Sequence, residues 1–117
     1  MGLTKRRDSY YVEFRVIESA DEALDLVLSL DTLRLQMHQQ FQSARSSALL
    51  IKLIDSLFAR PATTIGEATR LLGVTPASAS ANITKLVKAG ILREITGRTR
   101  DRVYVARRIL ALMGDSR

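Results

Sequence analysis

The sequence predicts a mainly α protein with a small β-hairpin, an α+β arrangement in which a winged helix-turn-helix follows one or more long N-terminal helices. Three observations predict it. Between Leu3 and Ala59 there is neither glycine nor proline, so nothing interrupts regular structure over that stretch and long helices are favoured. After Pro61 two short helical patterns, each with its own cap, are separated by only Gly73-Val74-Thr75. Two short strand-like runs then flank Gly97-Arg98-Thr99-Arg100-Asp101, the composition of a hairpin loop.

Taken in order, residues 1–18 form a basic start that is poorly ordered over 1–8 and mixes aromatic and β-branched residues from Tyr10 to Ile17. Those residues lack clean alternation and suit either a short strand or another helix. Ser19-Ala20-Asp21-Glu22 has the capping-box spacing, in which the serine oxygen accepts from an early backbone N–H, so a helix starts at Ser19. From there Val27, Leu30, Leu33, Met37, Phe41, Ala44, Ala48 and Ile51 recur at steps of three and four, which is one apolar stripe. Unbroken to Phe58, such a helix would run about 40 residues and roughly 60 Å, beyond what a chain of this size covers, and its stripe would seat a second copy. The alternative is a break near Ser43, Ser46 and Ser47, each able to cap a new helix. The helical extension over 19–45 is a candidate dimerisation element, with Val27, Leu30, Leu33, Met37 and Phe41 as its seam, and the same stripe also suits packing within the chain onto the segment from Tyr10 to Ile17.

The winged helix-turn-helix occupies 46–113, leaving 114–117 as a tail. Thr64-Ile65-Gly66-Glu67 repeats the capping spacing, Ala68, Leu71 and Leu72 supply an apolar face, and Gly73 provides a left-handed stop. Thr75-Pro76 caps the next helix, with proline at the first position where its missing N–H is harmless, and that helix runs to Gly90. Residues 91–95 and 102–105 are the hairpin strands, the alternation of the second placing Val103 and Val105 toward the core and Arg102 and Tyr104 outward. A short basic helix over 106–113 ends the domain.

Composition narrows the function. The chain has 117 residues, 46% hydrophobic and 26% charged, which suits one compact domain. No cysteine and a single histidine exclude disulfides, thiolate zinc sites and thiol catalysis, and leave almost no ligand set for a transition metal. His38, among glutamines on a helix, reads as a surface or interface histidine. The glycines form no phosphate-binding loop of the Walker or dinucleotide kind, so no cofactor is expected. No run reaches membrane-spanning length and the start lacks a secretory apolar centre, so a cytoplasmic, membrane-free chain is expected. The net charge of +6 is unevenly placed: residues 1–45 hold six basic groups against seven acidic, and residues 46–117 hold twelve against five. A localised basic face is the footprint of a phosphate-backbone partner, here double-stranded DNA.

On the helix from Pro76, Ala79, Ile83 and Leu86 share the inner face while Ser78, Ala81, Thr84, Lys85 and Lys88 point away, with Asn82 on the flank. The candidate DNA-contacting residues are Thr75, Ser78, Asn82, Lys85 and Lys88 on this helix and Arg98, Arg100 and Arg102 on the wing. Only Asn82 offers bidentate base reading, so sequence discrimination is modest or shape-based. The competing reading of the wing arginines is pairing with Asp101 or Glu94. The competing reading of the whole chain is a protein-interaction or dimerisation module whose winged helix contacts a protein.

Several stretches carry a resemblance: Gln42-Ser43-Ala44-Arg45-Ser46-Ser47-Ala48-Leu49-Leu50, Gly73-Val74-Thr75-Pro76, Leu86-Val87-Lys88-Ala89-Gly90-Ile91-Leu92-Arg93-Glu94-Ile95-Thr96-Gly97-Arg98, and Arg102-Val103-Tyr104-Val105-Ala106. Together they resemble the C-terminal region of Fic family proteins, where a helical extension and a winged helix follow a catalytic domain, and the resemblance spans residues 18–112. Fic enzymes transfer a nucleotide monophosphate, usually AMP, to a protein hydroxyl through a His-Pro-Phe-x-x-Gly-Asn-Gly-Arg motif. The chain contains none of it: His38 precedes Gln39, and the only prolines are Pro61 and Pro76. The resemblance thus implies a non-enzymatic accessory module, in the context of a Fic-type protein, with a DNA-binding role.

Overall fold

The computed structural model describes residues 19–44 and 47–114. The readings for the N-terminal segment, for Ser46 as a cap and for the tail beyond Gly114 lie outside the described residues. Five helices and a small antiparallel sheet follow one another as α1 (Ala20–Gln39), α2 (Ser47–Ala59), β1 (Ala62–Thr63), α3 (Ile65–Leu72), α4 (Pro76–Lys88), β2 (Arg93–Glu94), β3 (Tyr104–Val105) and α5 (Arg107–Met113).

Capping chemistry sets the starts of three helices. Ser19 Oγ accepts from Glu22 N, Thr64 Oγ1 from Glu67 N and Thr75 Oγ1 from Ser78 N, each at 3.1 Å. The long helix breaks, as one of the two sequence readings has it: α1 ends at Gln39 in a turn over 40–44, and a fresh helix begins by Ser47. The break also ends the phase of the apolar stripe. Ala48 is exposed, and α2 instead buries Leu50, Leu53, Ile54 and Leu57, the i, i+3, i+4, i+7 face of a new helix.

Those four α2 residues form the centre of the core, with Ala68 and Leu72 from α3, Ala79, Ile83 and Leu86 from α4, Ile91 and Leu92 after it, and Ile109 from α5. α1 lies across this body, packed on α2 and α5. Its expected dimer seam is corrected here. Leu33 and Met37 are 5% and 1% exposed, and Leu30 and Phe41 pack against the same core, so these four are engaged within the chain; only Val27 remains outward. The physical reason is the break, which lets α1 fold back and use its stripe internally.

His38 Nε2 donates to Asp55 Oδ1 at 2.6 Å, tying α1 to α2, and Arg34, bound to Asp31 at 2.7 Å, stands 3.9 Å from the same Asp55 oxygen. Arg108 Nη2 reaches Gln36 Oε1 at 3.5 Å and ties α5 to α1. The histidine thus has an interhelical structural partner that spacing along α1 alone did not show.

The sheet has the order β1-β3-β2, all antiparallel, with Thr63 opposite Tyr104 and Glu94 opposite Tyr104 on the other side. β1 was not anticipated, and it makes β3 the central strand. A second correction follows: Tyr104 is buried at 7% exposure and sits level with buried Thr63, while Val103 and Val105 are only half-buried. Alternation states that neighbours face opposite ways, and pairing with β1 decides which way is inward. No helix among the described residues is long and apolar enough to cross a membrane.

Candidate nucleic-acid interface

The turn between α3 and α4 is three residues long. Gly73 takes φ +66°, the left-handed region that a side chain disfavours, and its N–H closes on Thr69 O at 2.9 Å. Pro76 occupies the first turn of α4, where its fixed φ suits the helix. α4 buries Ala79, Asn82, Ile83 and Leu86 against the core and turns Ala77, Ala81, Thr84, Lys85 and Lys88 to solvent. Apart from exposed Val87, the outward face is small, polar and basic, and no acidic residue lies anywhere on the helix.

Asn82 is the third correction. It is 4% exposed, and its Nδ2 donates to Ser78 O at 3.0 Å. An asparagine on the flank of a helix can satisfy its amide on the preceding turn, and the chain uses it so, leaving no amide for a base edge. Ser78 is half-buried, and Thr75 Oγ1 is engaged in the cap. Lys85 and Lys88 are exposed as expected.

After α4, Ile91 N and Leu92 N both close on Leu86 O, at 2.9 and 3.2 Å, and the chain enters the hairpin. One carboxylate organises the loop between β2 and β3. Glu94 Oε2 accepts from Gly97 N at 2.7 Å, from Thr96 N at 2.8 Å, and from the Thr96 hydroxyl. These bonds, the hydroxyl foremost, then the two amides and the charge of Arg102, hold the Glu94 carboxyl below the usual carboxylate range against a smaller opposing effect of burial.

The loop arginines do not pair with acids. Arg98 donates from Nη2 to Asp101 O at 2.9 Å and from Nε to Arg100 O at 3.0 Å, and Arg102 Nε donates to Arg98 O. Arg98 and Arg102 therefore staple the loop through backbone carbonyls. Among the described residues, Arg98, Arg100 and Arg102 have no carboxylate within ion-pair distance. Asp101 takes φ +52°, a left-handed conformation that Asp tolerates better than most residues.

Between this loop, α4 and the start of α3 lies an open cleft of about 480 Å³ lined by Arg70, Ser80, Thr84, Thr99, Asp101, Arg102 and Tyr104, with Thr64, Ile65 and Gly66 at its end. Arg70, Ser80, Thr84 and Thr99 were missed as interface candidates. Arg70 belongs to the helix before the turn, and only tertiary packing brings it to the loop; no sequence signal marks it. Elsewhere, no cluster of three His, Asp or Glu residues suited to a metal occurs among the described residues.

No protein-family model matches this chain, and no curated protein matches it. Among solved structures, the crystal structure of RV1404 from Mycobacterium tuberculosis is similar at 16% sequence identity with a TM-score of 0.49, over 84% of this chain and 73% of that chain.

Proposed function

We propose that the chain is a non-enzymatic winged helix-turn-helix module that binds double-stranded DNA, α4 entering the major groove and the β2–β3 loop following the backbone. The observation that carries this reading is an imbalance of paired and unpaired charge in the second half of the chain. Asp55 is taken by His38, Glu67 by Arg60 at 3.2 Å, and Glu94 by loop amides. Arg70, Lys85, Lys88, Arg93, Arg98, Arg100, Arg102, Arg107 and Arg108 are then left with no carboxylate in ion-pair contact among the described residues. Cations left unpaired by protein acids are what a polyanion neutralises. With Asn82 inward, the reading is of backbone and shape more than of base edges. In a cell this role is transcriptional control, or the bringing of a Fic-type protein to DNA.

The test is fluorescence anisotropy of a labelled duplex at several salt concentrations. A chain neutralising about six phosphates gives a slope of log affinity against log salt near −5. The triple change Arg98→Ala, Arg100→Ala, Arg102→Ala flattens that slope; unchanged affinity in that variant removes the loop from the interface.

A second feature favours self-association. Leu24, Val27, Leu28 and Leu35 are 50–59% exposed along one outer face of α1, and we propose that a second copy of the chain packs there as a homodimer. Sedimentation equilibrium of the wild type against Leu24→Ser/Leu28→Ser tests it: the wild type sediments as a dimer and the variant as a monomer, and a monomeric wild type at high micromolar concentration removes the proposal.

A further inference from the structure

The cleft beside α4 brings together two guanidinium groups from elements far apart in sequence. Arg70 comes from α3 and Arg102 from the loop before β3, and both line the cavity of about 480 Å³. The Arg70 side chain runs back along its own helix, so that a methyl group placed on Gly66 would stand 3.8 Å from Arg70 Nη1. The acid one turn from it, Glu67, pairs instead with Arg60 at 3.2 Å. Ser80 and Thr84 from α4 and Thr99 from the loop add hydroxyl groups to the same walls. One carboxylate, Asp101, also lines the cleft, and it is not within ion-pair distance of either arginine.

We infer that this cleft seats one phosphodiester group of the DNA backbone between Arg70 and Arg102, with the hydroxyls of Ser80, Thr84 and Thr99 as further donors. Guanidinium groups present forked donors that match the non-bridging phosphate oxygens, and hydroxyls complete such contacts without sequence preference. The cleft adjoins the outward face of α4, so a strand whose groove receives α4 passes this opening. Asp101 opposes the phosphate by like charge and sets the affinity of the subsite below its maximum. The inference rests on the DNA-binding reading and adds α3 to the contacting elements.

The experiment is the anisotropy titration on the full chain, from 0.1 to 1 M salt, with wild type, Arg70→Ala, Arg70→Lys and Asp101→Asn, each checked for fold by circular dichroism. Arg70 is exposed, and asparagine tolerates the left-handed backbone of position 101, so all four chains keep the fold. Loss of one neutralised phosphate lowers the magnitude of the log–log slope by about 0.9, so that a variant matching the wild type at 1 M salt binds about eightfold more weakly than the wild type at 0.1 M. Arg70→Ala shows that change, Arg70→Lys restores the slope, and Asp101→Asn tightens binding at low salt. Wild-type binding with an unchanged slope in Arg70→Ala overturns the cleft assignment and leaves the DNA-binding reading standing. No salt-dependent binding by the wild type overturns both.

Discussion

Replacing Asn82 by alanine separates a structural asparagine from a base-reading one. Asn82 is 4% exposed and donates one hydrogen bond to Ser78 O. That carbonyl also accepts the ordinary helical bond from the backbone of residue 82, so truncation orphans no acceptor, and the loss is one net hydrogen bond, about 1 kcal/mol. Removing three buried side-chain atoms adds a small cavity of comparable cost, roughly 0.5–1 kcal/mol, and the better helix propensity of alanine returns about 0.5 kcal/mol. The balance is a destabilisation of about 1 kcal/mol, or a fall in melting temperature of roughly 4 °C for a chain of this size. Circular dichroism melts measure it, and anisotropy with a fixed duplex at the same salt measures binding. The expected result is the lower melting temperature with duplex affinity within a factor of two. A tenfold loss of duplex affinity at an unchanged melting temperature refutes the reasoning, because it returns the amide to the interface.

Glu94, held below its ordinary value, contributes loop stability that is fully present above the unfolded value of 4.5 and is lost as pH falls through the folded value; the amide resonances of Thr96 and Gly97 move only in that acid range, and in Glu94→Gln they no longer titrate. Leu53→Ala, at a site with no exposure at the centre of α2, destabilises by about 2–5 kcal/mol in urea unfolding, whereas Lys52→Ala, at the exposed neighbouring position of the same helix, changes it by less than about 0.5 kcal/mol. Gly73→Ala forces a side chain into φ +66° and lowers stability by about 1 kcal/mol, seen as a shifted melting temperature with little change in the slope of DNA affinity against salt.

Local chemistry made the helical half of the fold legible. Ser19, Thr64 and Thr75 cap where their side chains and spacing say they should, and Gly73 stops α3 in the left-handed conformation, because those signals act within four residues. What depends on distant partners was not legible. β1 is two residues long, and its partners Tyr104 and Val105 lie some forty residues on, so no periodicity announces it; without it, the inward face of β3 is undetermined. The stripe of α1 was correctly apolar, but whether it meets another chain or its own α2 depends on a break that sequence left open. At the site, the basic lysines and loop arginines were legible as charge, while the inward turn of Asn82 and the approach of Arg70 to the loop exist only once α3, α4 and the hairpin are packed together.

The hydrogen bond from His38 to Asp55, with Arg34 beside it, fixes more than the position of one side chain. It joins α1 to α2, the helix that also packs on α3 and α4, and with buried Leu33 and Met37 it seats α1 on the body that carries the helix proposed to enter the groove. Anything seated on the outer face of α1 is thereby set at a constant angle to α4. In a symmetric pair the separation of the two α4 helices becomes a ruler, and a ruler selects half-sites by their spacing, one helical turn of about 34–36 Å or a multiple of it. Loosening the His38–Asp55 tie would leave each half able to hold DNA and blur the distance at which both halves do so together.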